Sequence, residues 1–163
     1  MNRQRLAAWG ILLVSVAALL TLDLILKSWA VSNLMEQPGR DLIPGLLGIT
    51  FTRNTGAAFG LFANQNWGRW VLTIVKVVLM LGILWYYHRL PLEKKNWALR
   101  VPMILILAGG LGNLYDRIVL GYVRDMLEFL FINFPIFNLA DVFVVVGCFT
   151  GAFVLMFVVR DLP

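Results

Sequence analysis

Two aspartates, Asp125 and Asp141, lie beside long apolar segments of the chain, where a buried charge costs about 3 kcal/mol. Two carboxyl groups that are held close together cannot both ionise cheaply, so one keeps a proton while the other acts as a base. Such a pair can activate water towards an amide and then protonate the leaving nitrogen. The two residues therefore predict hydrolysis by paired carboxyl groups.

Histidine and cysteine are too scarce for the other common hydrolytic sites. His88 is the only histidine and Cys148 is the only cysteine. One residue of each type cannot build a His/Cys zinc centre, and a Ser–His or Cys–His nucleophile pair would need another base. Carboxylates remain as the catalytic option, and we expect the protein to need no metal and no cofactor.

Other polar residues of the apolar segments gather at the same predicted depth as the two aspartates. They are Asp23, Lys27, Asn113, Asp116, Arg117 and Asn138. Taken singly, each is more simply explained as a helix cap, an ion pair or a group near a helix dipole. Their convergence at one depth favours a functional site. Lys76, inside the second apolar segment, is the exception, and we assign it no role.

The composition is that of a membrane protein. Hydrophobic residues make up 60% of the 163 residues, and the mean hydropathy is +0.81, whereas a soluble domain is nearer half apolar. Four segments are long and apolar enough to cross a bilayer, at about residues 9–31, 70–87, 101–120 and 137–159. We therefore predict an all-α membrane protein with four transmembrane helices, forming a single domain over residues 1–163.

Basic residues orient these four segments. The net charge is +5, and the basic residues lie before the first segment, between the second and the third, and after the fourth. The positive-inside rule then places both termini in the cytoplasm and leaves two outer connections, at about 32–69 and 121–136. Because the positive charge is explained by orientation, we predict no nucleic-acid partner. The alternation in "GITFTRN" predicts a small extracytoplasmic β element in the first connection.

Three blocks of sequence carry a more specific signal. They are "TRNTGAAFG" at 52–60, "GGLGNLYDRIVLGYVRDM" at 109–126 and "FPIFNLADV" at 134–142. Their residues and order, with the four-helix layout, resemble signal peptidase II, the lipoprotein signal peptidases. The resemblance implies a bacterial intramembrane aspartyl protease that cleaves prolipoproteins just before the diacylglyceryl-modified cysteine. It also implies lipidated prolipoproteins and membrane lipids as partners, and an active site near the outer face of the cytoplasmic (inner) membrane.

Carried over by position, the catalytic aspartates of the family fall on Asp125 and Asp141, the pair that the topology already favours. The resemblance further implies supporting or substrate-binding positions at Asp23, Lys27, Asn54, Gly56, Asn113, Arg117, Asn138 and Ala140. We expect the protein to act as a monomer. We also expect the 32–69 connection to form a lid, with Phe59 and Leu61 in reach of substrate.

The chain departs from the family pattern at two places. The first block of the family commonly reads Asp-Gln-x-Ser/Thr-Lys, whereas "DLILK" places Leu24 and Leu26 at the two polar positions. The family also commonly has Val-Val-Asp-Phe where this chain has "VRDM", with Arg124 beside Asp125. A cation that pointed inwards at this position would favour the ionised carboxylate.

Two other functions stay open on the residues alone. A small ion- or proton-coupled carrier could use the aspartates as relay groups, but its path should place polar groups across the whole bilayer. The inner halves of the segments are almost wholly apolar, which favours an enzyme at the outer interface. A non-catalytic membrane scaffold could share the fold, and it would keep its function without Asp125 or Asp141.

Overall fold

A computed structural model describes residues 3–56, 68–93 and 96–158 of the chain. These ranges contain four helices and three strands, in the order α1 Arg3–Leu34, β1 Arg40–Ile43, β2 Leu47–Asn54, α2 Gly68–Arg89, α3 Trp97–Val119, β3 Val123–Phe129 and α4 Leu139–Phe157. The prediction of a mostly helical protein with a small β element is confirmed. Phe59 and Leu61 lie outside the described residues.

Three helices, α1, α2 and α3, begin before the predicted apolar segments. α1 has 32 residues, which is about 48 Å at 1.5 Å per residue, against a hydrocarbon core of about 30 Å. α3 begins at Trp97 rather than at residue 101. The predicted boundaries were wrong because hydropathy marks the apolar part only, whereas Arg3, Arg5 and Arg100 are good helix formers that continue the helix beyond it.

Within the described ranges, three helices are long and apolar enough to cross a membrane: α1, α3 and α4. Only 11% of the apolar window of α1 and 17% of that of α4 is buried inside the protein. Most of their apolar surface therefore faces outwards, and lipid is the environment that satisfies so large an exposed area. The chain is a multi-pass membrane protein.

The three strands form one antiparallel sheet in the order β1-β2-β3. β2 contains the predicted "GITFTRN" strand, which confirms that interpretation. β3 lies in the connection between α3 and α4, where no strand was predicted, and it pairs Thr52 with Asp125 and Asn54 with Val123. This pairing places the end of β2 beside Asp125.

The fourth helix begins at Leu139 rather than at the predicted residue 137. Phe137 instead pairs with Leu127 of β3, and each backbone N–H donates to the carbonyl of the other residue at 2.8 Å. The chain thus stays extended until Asn138, which caps the helix. The same two hydrogen bonds fix β3 against the start of α4.

Glycines let α3 and α4 pack closely. A Cβ on Gly109 would collide with the carbonyl oxygen of Ala140, and a Cβ on Gly147 would lie 2.9 Å from the carbonyl oxygen of Pro102. Because Asn113 lies one turn beyond Gly109 on the same helix face, the close approach places it beside the first turn of α4.

The substitution Gly109→Ala should destabilise the protein, because the added methyl group pushes α3 away from Ala140. Overpacking of this kind costs about 1–3 kcal/mol. The matched control is Gly82→Ala in α2, where nothing lies within 4 Å of an added Cβ and alanine favours the helix by about 1 kcal/mol. Thermal unfolding in detergent should give a lower midpoint for the first variant only. Equal midpoints would contradict the packing described here.

Candidate active site

Asp141 is held at the start of α4 by a capping box with Asn138. The backbone N–H of Asp141 donates to the Asn138 side chain at 3.0 Å, and the backbone N–H of Asn138 donates to the Asp141 carboxylate at 3.3 Å. The reciprocal bonds satisfy two backbone donors of the helix terminus and fix the carboxylate there. The positive end of the helix dipole favours its negative charge.

Asp125 lies on β3 and accepts one amide N–H on each carboxylate oxygen. Asn138 Nδ2 donates to Oδ1 at 2.6 Å, and Asn54 Nδ2 donates to Oδ2 at 2.8 Å. Asn54 is the last residue of β2, so the strand pairing brings its amide to this carboxylate. The Asp125 side chain is almost fully covered, since the residue is only 1% exposed.

Two asparagines connect the two carboxyl groups. Asn113 Nδ2 donates to Asp141 Oδ1 at 2.8 Å, and Asn138 Nδ2 donates to Asn113 Oδ1 at 3.1 Å. Asn138 therefore contacts both carboxyl groups, one through its side-chain amide and the other through its backbone N–H. The positions of Asp125 and Asp141 are fixed relative to each other by this chain of amides.

A buried group of charges lies against the two asparagines. Lys27 Nζ is 2.8 Å from Asp23 Oδ2 and 3.4 Å from Asp116 Oδ2, and it donates to Asn113 Oδ1 at 3.2 Å. Because the ammonium group occupies the oxygen side of the Asn113 amide, the nitrogen side must face Asp141. Asp23 Oδ1 also accepts the backbone N–H of Ala140 at 3.0 Å, which holds the first turn of α4.

The first departure from the family pattern falls outside this group of charges. Leu26 is exposed and Leu24 is half-buried, whereas Asp23 and Lys27 are fully buried. The two apolar residues lie towards the outside of α1. The buried face of the helix keeps its acid and its base.

The second departure, Arg124, points away from Asp125, because neighbouring residues of a strand face opposite sides. Arg124 Nη2 donates to Asp116 Oδ1 at 2.7 Å, its Nε donates to the same carboxylate at 3.2 Å, and its backbone N–H donates to Oδ2 at 3.0 Å. Arg124 Nη1 also donates to Ser28 Oγ at 3.4 Å. Arg124 thus anchors β3 to α3 and α1.

Arg117 and Gly56 extend the site towards the first outer connection. Arg117 Nη2 donates to the carbonyl oxygen of Gly56 at 3.2 Å, and the Gly56 N–H donates to Asn54 Oδ1 at 3.1 Å. The carbonyl and the N–H of Gly56 are therefore both used within the site. Gly56 is the last residue that the structure describes before segment 57–67.

A cavity of about 570 Å³ opens beside the two aspartates. Its polar wall contains Asn54, Lys76, Asn113, Arg117 and Asp141. The remaining wall is mainly apolar and includes Phe129, Phe134, Phe137, Val142, Val145 and Val146. Asp141 lies in the wall itself, whereas Asp125 is connected to the wall through Asn54.

Burial raises the pKa of the Asp125 carboxyl group from 3.8 to about 6. The hydrogen bonds from Asn54 and Asn138 favour the charged form and limit the rise, while the negative charge of Asp141 adds to it. Asp125 therefore exchanges a proton close to neutral pH. A carboxyl group with this property can act as an acid in catalysis.

The structure brings all ten predicted site residues into one connected group. The sequence missed Lys76, to which it assigned no role and which lies in the cavity wall. The available signal was a single charge inside an otherwise apolar helix, which is costly unless it faces a cavity. The rotation of α2 decides which way this charge faces, and hydropathy does not reveal that rotation.

The fold and the site together define an intramembrane aspartic peptidase: a multi-pass helical protein that holds two aspartates together at one end of its bundle. The family model described as signal peptidase (SPase) II matches residues 15–158, which is most of the chain. The chain belongs to the signal peptidase II family.

Curated relatives agree with this assignment. The lipoprotein signal peptidase of Latilactobacillus sakei is 42% identical over 119 residues, which cover 73% of this chain and 76% of the relative. That of Streptococcus thermophilus is 40% identical over 134 residues, covering 82% and 84%. That of Lactococcus lactis is 38% identical over 155 residues, covering 95% and 93%.

Two solved structures share the fold. Both are described as a bacterial membrane enzyme determined by the in meso method. One, at 2.3 Å resolution, has a TM-score of 0.75 and 24% identity, and the match covers 90% of this chain and 88% of that chain. The other, at 1.9 Å resolution, has a TM-score of 0.77 and 23% identity, and the match covers 91% and 94%.

The raised pKa of Asp125 predicts a pH-dependent effect of Asp125→Asn on stability. The folded protein binds this proton more tightly than the unfolded chain does. The Asp125 carboxyl group therefore stabilises the fold more below pH 4 than above pH 6. Asparagine does not titrate. As the pH rises from 4 to 7, the free energy of unfolding of the parent should therefore fall by about 3 kcal/mol relative to that of the variant.

Thermal unfolding in detergent across this pH range measures the difference. Asp41→Asn, which removes a carboxylate from the exposed strand β1, controls for the general loss of a charge. A difference between Asp125→Asn and the parent that stays constant from pH 4 to pH 7 would show that the pKa of Asp125 is not raised.

Proposed function

We propose that Asp125 and Asp141 are the catalytic pair, and that cleavage occurs just before a diacylglyceryl-modified cysteine. As a member of the signal peptidase II family, the chain cleaves signal peptides from prolipoproteins. The observation that carries the proposal is the double contact of Asn138. It donates to Asp125 at 2.6 Å through its side chain and to Asp141 at 3.3 Å through its backbone.

In the proposed reaction, Asp141 is the base. It lies in the cavity wall at a helix N-terminus, where its negative charge is favoured. Asp141 takes a proton from water, and the water oxygen attacks the scissile carbonyl carbon. Asp125, whose pKa is raised to about 6, then gives its proton to the leaving nitrogen as the C–N bond breaks.

The surrounding residues keep this geometry before substrate arrives. Asn113 and Asn138 orient the two carboxyl groups, and Asp23, Lys27 and Ala140 hold the first turn of α4. Preorganisation of this kind lowers the barrier because no group must be reoriented during the reaction.

Access to Asp125 is the task that we assign to the lid. Asn54 covers one oxygen of Asp125 and is itself bonded to Gly56, the last described residue before segment 57–67. Arg117 holds the carbonyl oxygen of Gly56. A movement of the lid therefore acts directly on Asn54 and opens Asp125 to the cavity.

The apolar wall suits a substrate that enters from the membrane. Phe129, Phe134, Val145 and Val146 offer a surface for a signal peptide or for acyl chains. Because the chains of a diacylglyceryl group already lie in lipid, burying them against protein gains little. Recognition should therefore depend on the cysteine-linked head region and on the small residues before it.

We further infer a monomer that crosses the bacterial cytoplasmic membrane four times, with α2 as the fourth span and the site near the outer face. Support comes from the end of α2, where His88 and Arg89 lie in the last turn. Arg5 near the start of α1 donates to the His88 carbonyl oxygen at 3.2 Å. This basic end lies opposite the aspartates along the bundle, which under the positive-inside rule makes it, and both termini, cytoplasmic.

The substitutions Asp125→Asn and Asp141→Asn should each lower turnover by about 10³-fold or more, because an amide can neither take the proton of water nor donate one as an acid. The measurement is cleavage of a lipidated precursor by purified protein in detergent, with thermal unfolding to verify folding. Asp41→Asn on the exposed strand β1 should keep full activity. Near-normal turnover by either folded site variant contradicts the catalytic pair and favours a scaffold.

The substrate assignment has its own test. Purified protein should cleave a precursor that carries the diacylglyceryl cysteine, and it should leave the same precursor without the lipid uncut, as followed by a gel shift. Adding the diacylglyceryl group enzymatically to the unmodified precursor should restore cleavage, which controls for its quality. Equal cleavage of both forms would exclude recognition of the lipidated cysteine.

A further inference from the structure

Lys76 is a charged residue of the cavity that the mechanism above does not use. It lies about 12 Å along α2 from Gly68. It is half-buried and lines the same wall as Asp141, Asn113 and Arg117. In contrast to Lys27, it makes no hydrogen bond and no ion pair with any residue in ranges 3–56, 68–93 and 96–158.

Among the described residues, Lys76 forms no direct ion pair, and the nearest carboxylates are those of the catalytic pair. The buried pairs formed by Lys27 and Arg124 have their own two carboxylates. In the proposed mechanism one catalytic aspartate is protonated and the other is ionised, so a single carboxylate faces two cations of the cavity wall, Lys76 and Arg117. Lys76 adds a further positive charge, and an uncompensated charge in such surroundings is strongly unfavourable.

Arg117 points to the same conclusion. One of its nitrogens, Nη1, is buried and has no hydrogen-bond partner within the described part of the chain. Buried donors are normally satisfied, and leaving one unpaired costs about 1–3 kcal/mol. Two cationic side chains therefore border one cavity, and both have donors available for an anionic ligand.

We propose that the Lys76 ammonium group, together with Arg117 Nη1, binds the scissile carbonyl oxygen once that oxygen becomes negative. The proposal rests on the catalytic pair proposed above. When the water oxygen attacks, the proton moves to Asp141 and the carbonyl π electrons move to the oxygen. Negative charge thus leaves the carboxylate and appears on the substrate oxygen, where a fixed cation stabilises it.

The same residue then contacts the first product. Asp125 gives its proton to the nitrogen, the C–N bond breaks, and the carbonyl re-forms as a carboxylic acid. That acid loses its proton to the new amine, so the released signal peptide ends in a carboxylate. The carboxylate supplies a negative charge beside Lys76, and the new ammonium group leaves with the other product. Transfer of a proton from Asp141 to Asp125 then restores the starting state of the pair.

Variants at position 76 test the catalytic part. Lys76→Met keeps the length of the side chain and removes the charge, and it should lower kcat by about 10²–10³-fold, the effect of losing one oxyanion donor. KM should change less than threefold, and Lys76→Arg should retain kcat within tenfold. Val78→Met, at a 60% exposed position of α2, is the matched control and should have parental kinetics.

A product analogue tests binding without catalysis. A synthetic signal peptide with a free C-terminal carboxylate should inhibit the parent protein at least tenfold more strongly than the same peptide with a C-terminal amide. In Lys76→Met the two peptides should inhibit equally. A purely structural role for Lys76 would leave the preference for the carboxylate unchanged.

The outcomes separate this inference from the proposed function. If the parent protein does not cleave a lipidated precursor, the proposed function fails. If the parent cleaves but Lys76→Met has normal kcat, or the parent binds the acid and amide peptides equally, the role of Lys76 is wrong. Should Lys76→Met not fold, the acid and amide comparison on the parent protein decides alone.

Discussion

The buried ammonium group of Lys27 is the interaction on which the site depends. It contacts one group on its own helix, Asp23, and two on α3, Asp116 and Asn113. Through these it reaches the first turn of α4, strand β3 and the carboxylate of Asp141. Removing the ammonium would leave the buried Asp23 carboxylate without a cation, at a cost of about 3–5 kcal/mol, while Asp116 would keep Arg124. The charge of Lys27 therefore organises three elements at once.

The charge of Lys27 controls the orientation of the asparagine side-chain amides. An asparagine side chain donates on one side and accepts on the other, so fixing one side fixes the next contact. Lys27 occupies the oxygen of Asn113, which leaves its nitrogen for Asp141. In the same way, the Asp141 backbone N–H occupies the oxygen of Asn138, which leaves its nitrogen to donate to Asn113 and Asp125. An aspartate in either place could accept but not donate when ionised. The asparagines are therefore as directional as the charges beside them.

The sequence predicted the helices and the membrane location of the protein well, because long apolar segments are a local signal. It also identified the group of polar residues, since a family resemblance locates positions even when their contacts are unknown. It missed β3, because the pairing of Asp125 with Thr52 joins residues far apart in the chain. It left Lys76 without a role, because the direction of a single side chain depends on helix rotation.

Arg124 shows that proximity in sequence also does not reveal the direction of a side chain. From its place next to Asp125 in the sequence, a direct electrostatic effect was expected only if the side chain pointed inwards. The structure instead shows the guanidinium bound to Asp116, 2.7 Å from its Oδ1, because successive residues of β3 face opposite sides. Adjacency in sequence allowed a contact between the two side chains, and the geometry of the strand excludes it.

The polar and apolar walls of the cavity differ in how well they tolerate substitutions. In the polar wall, Asn113 and Asp141 are hydrogen-bonded to each other and both contact Asn138, so a change at either residue breaks several bonds of the network. Apolar residues such as Val145 and Val146 can be exchanged for others of similar volume at modest cost. A tolerated substitution in the apolar wall can therefore weaken the binding of an inhibitor that contacts mainly this wall. An inhibitor that binds the polar wall leaves few routes to resistance, because substitutions in this wall also impair the processing of lipoproteins.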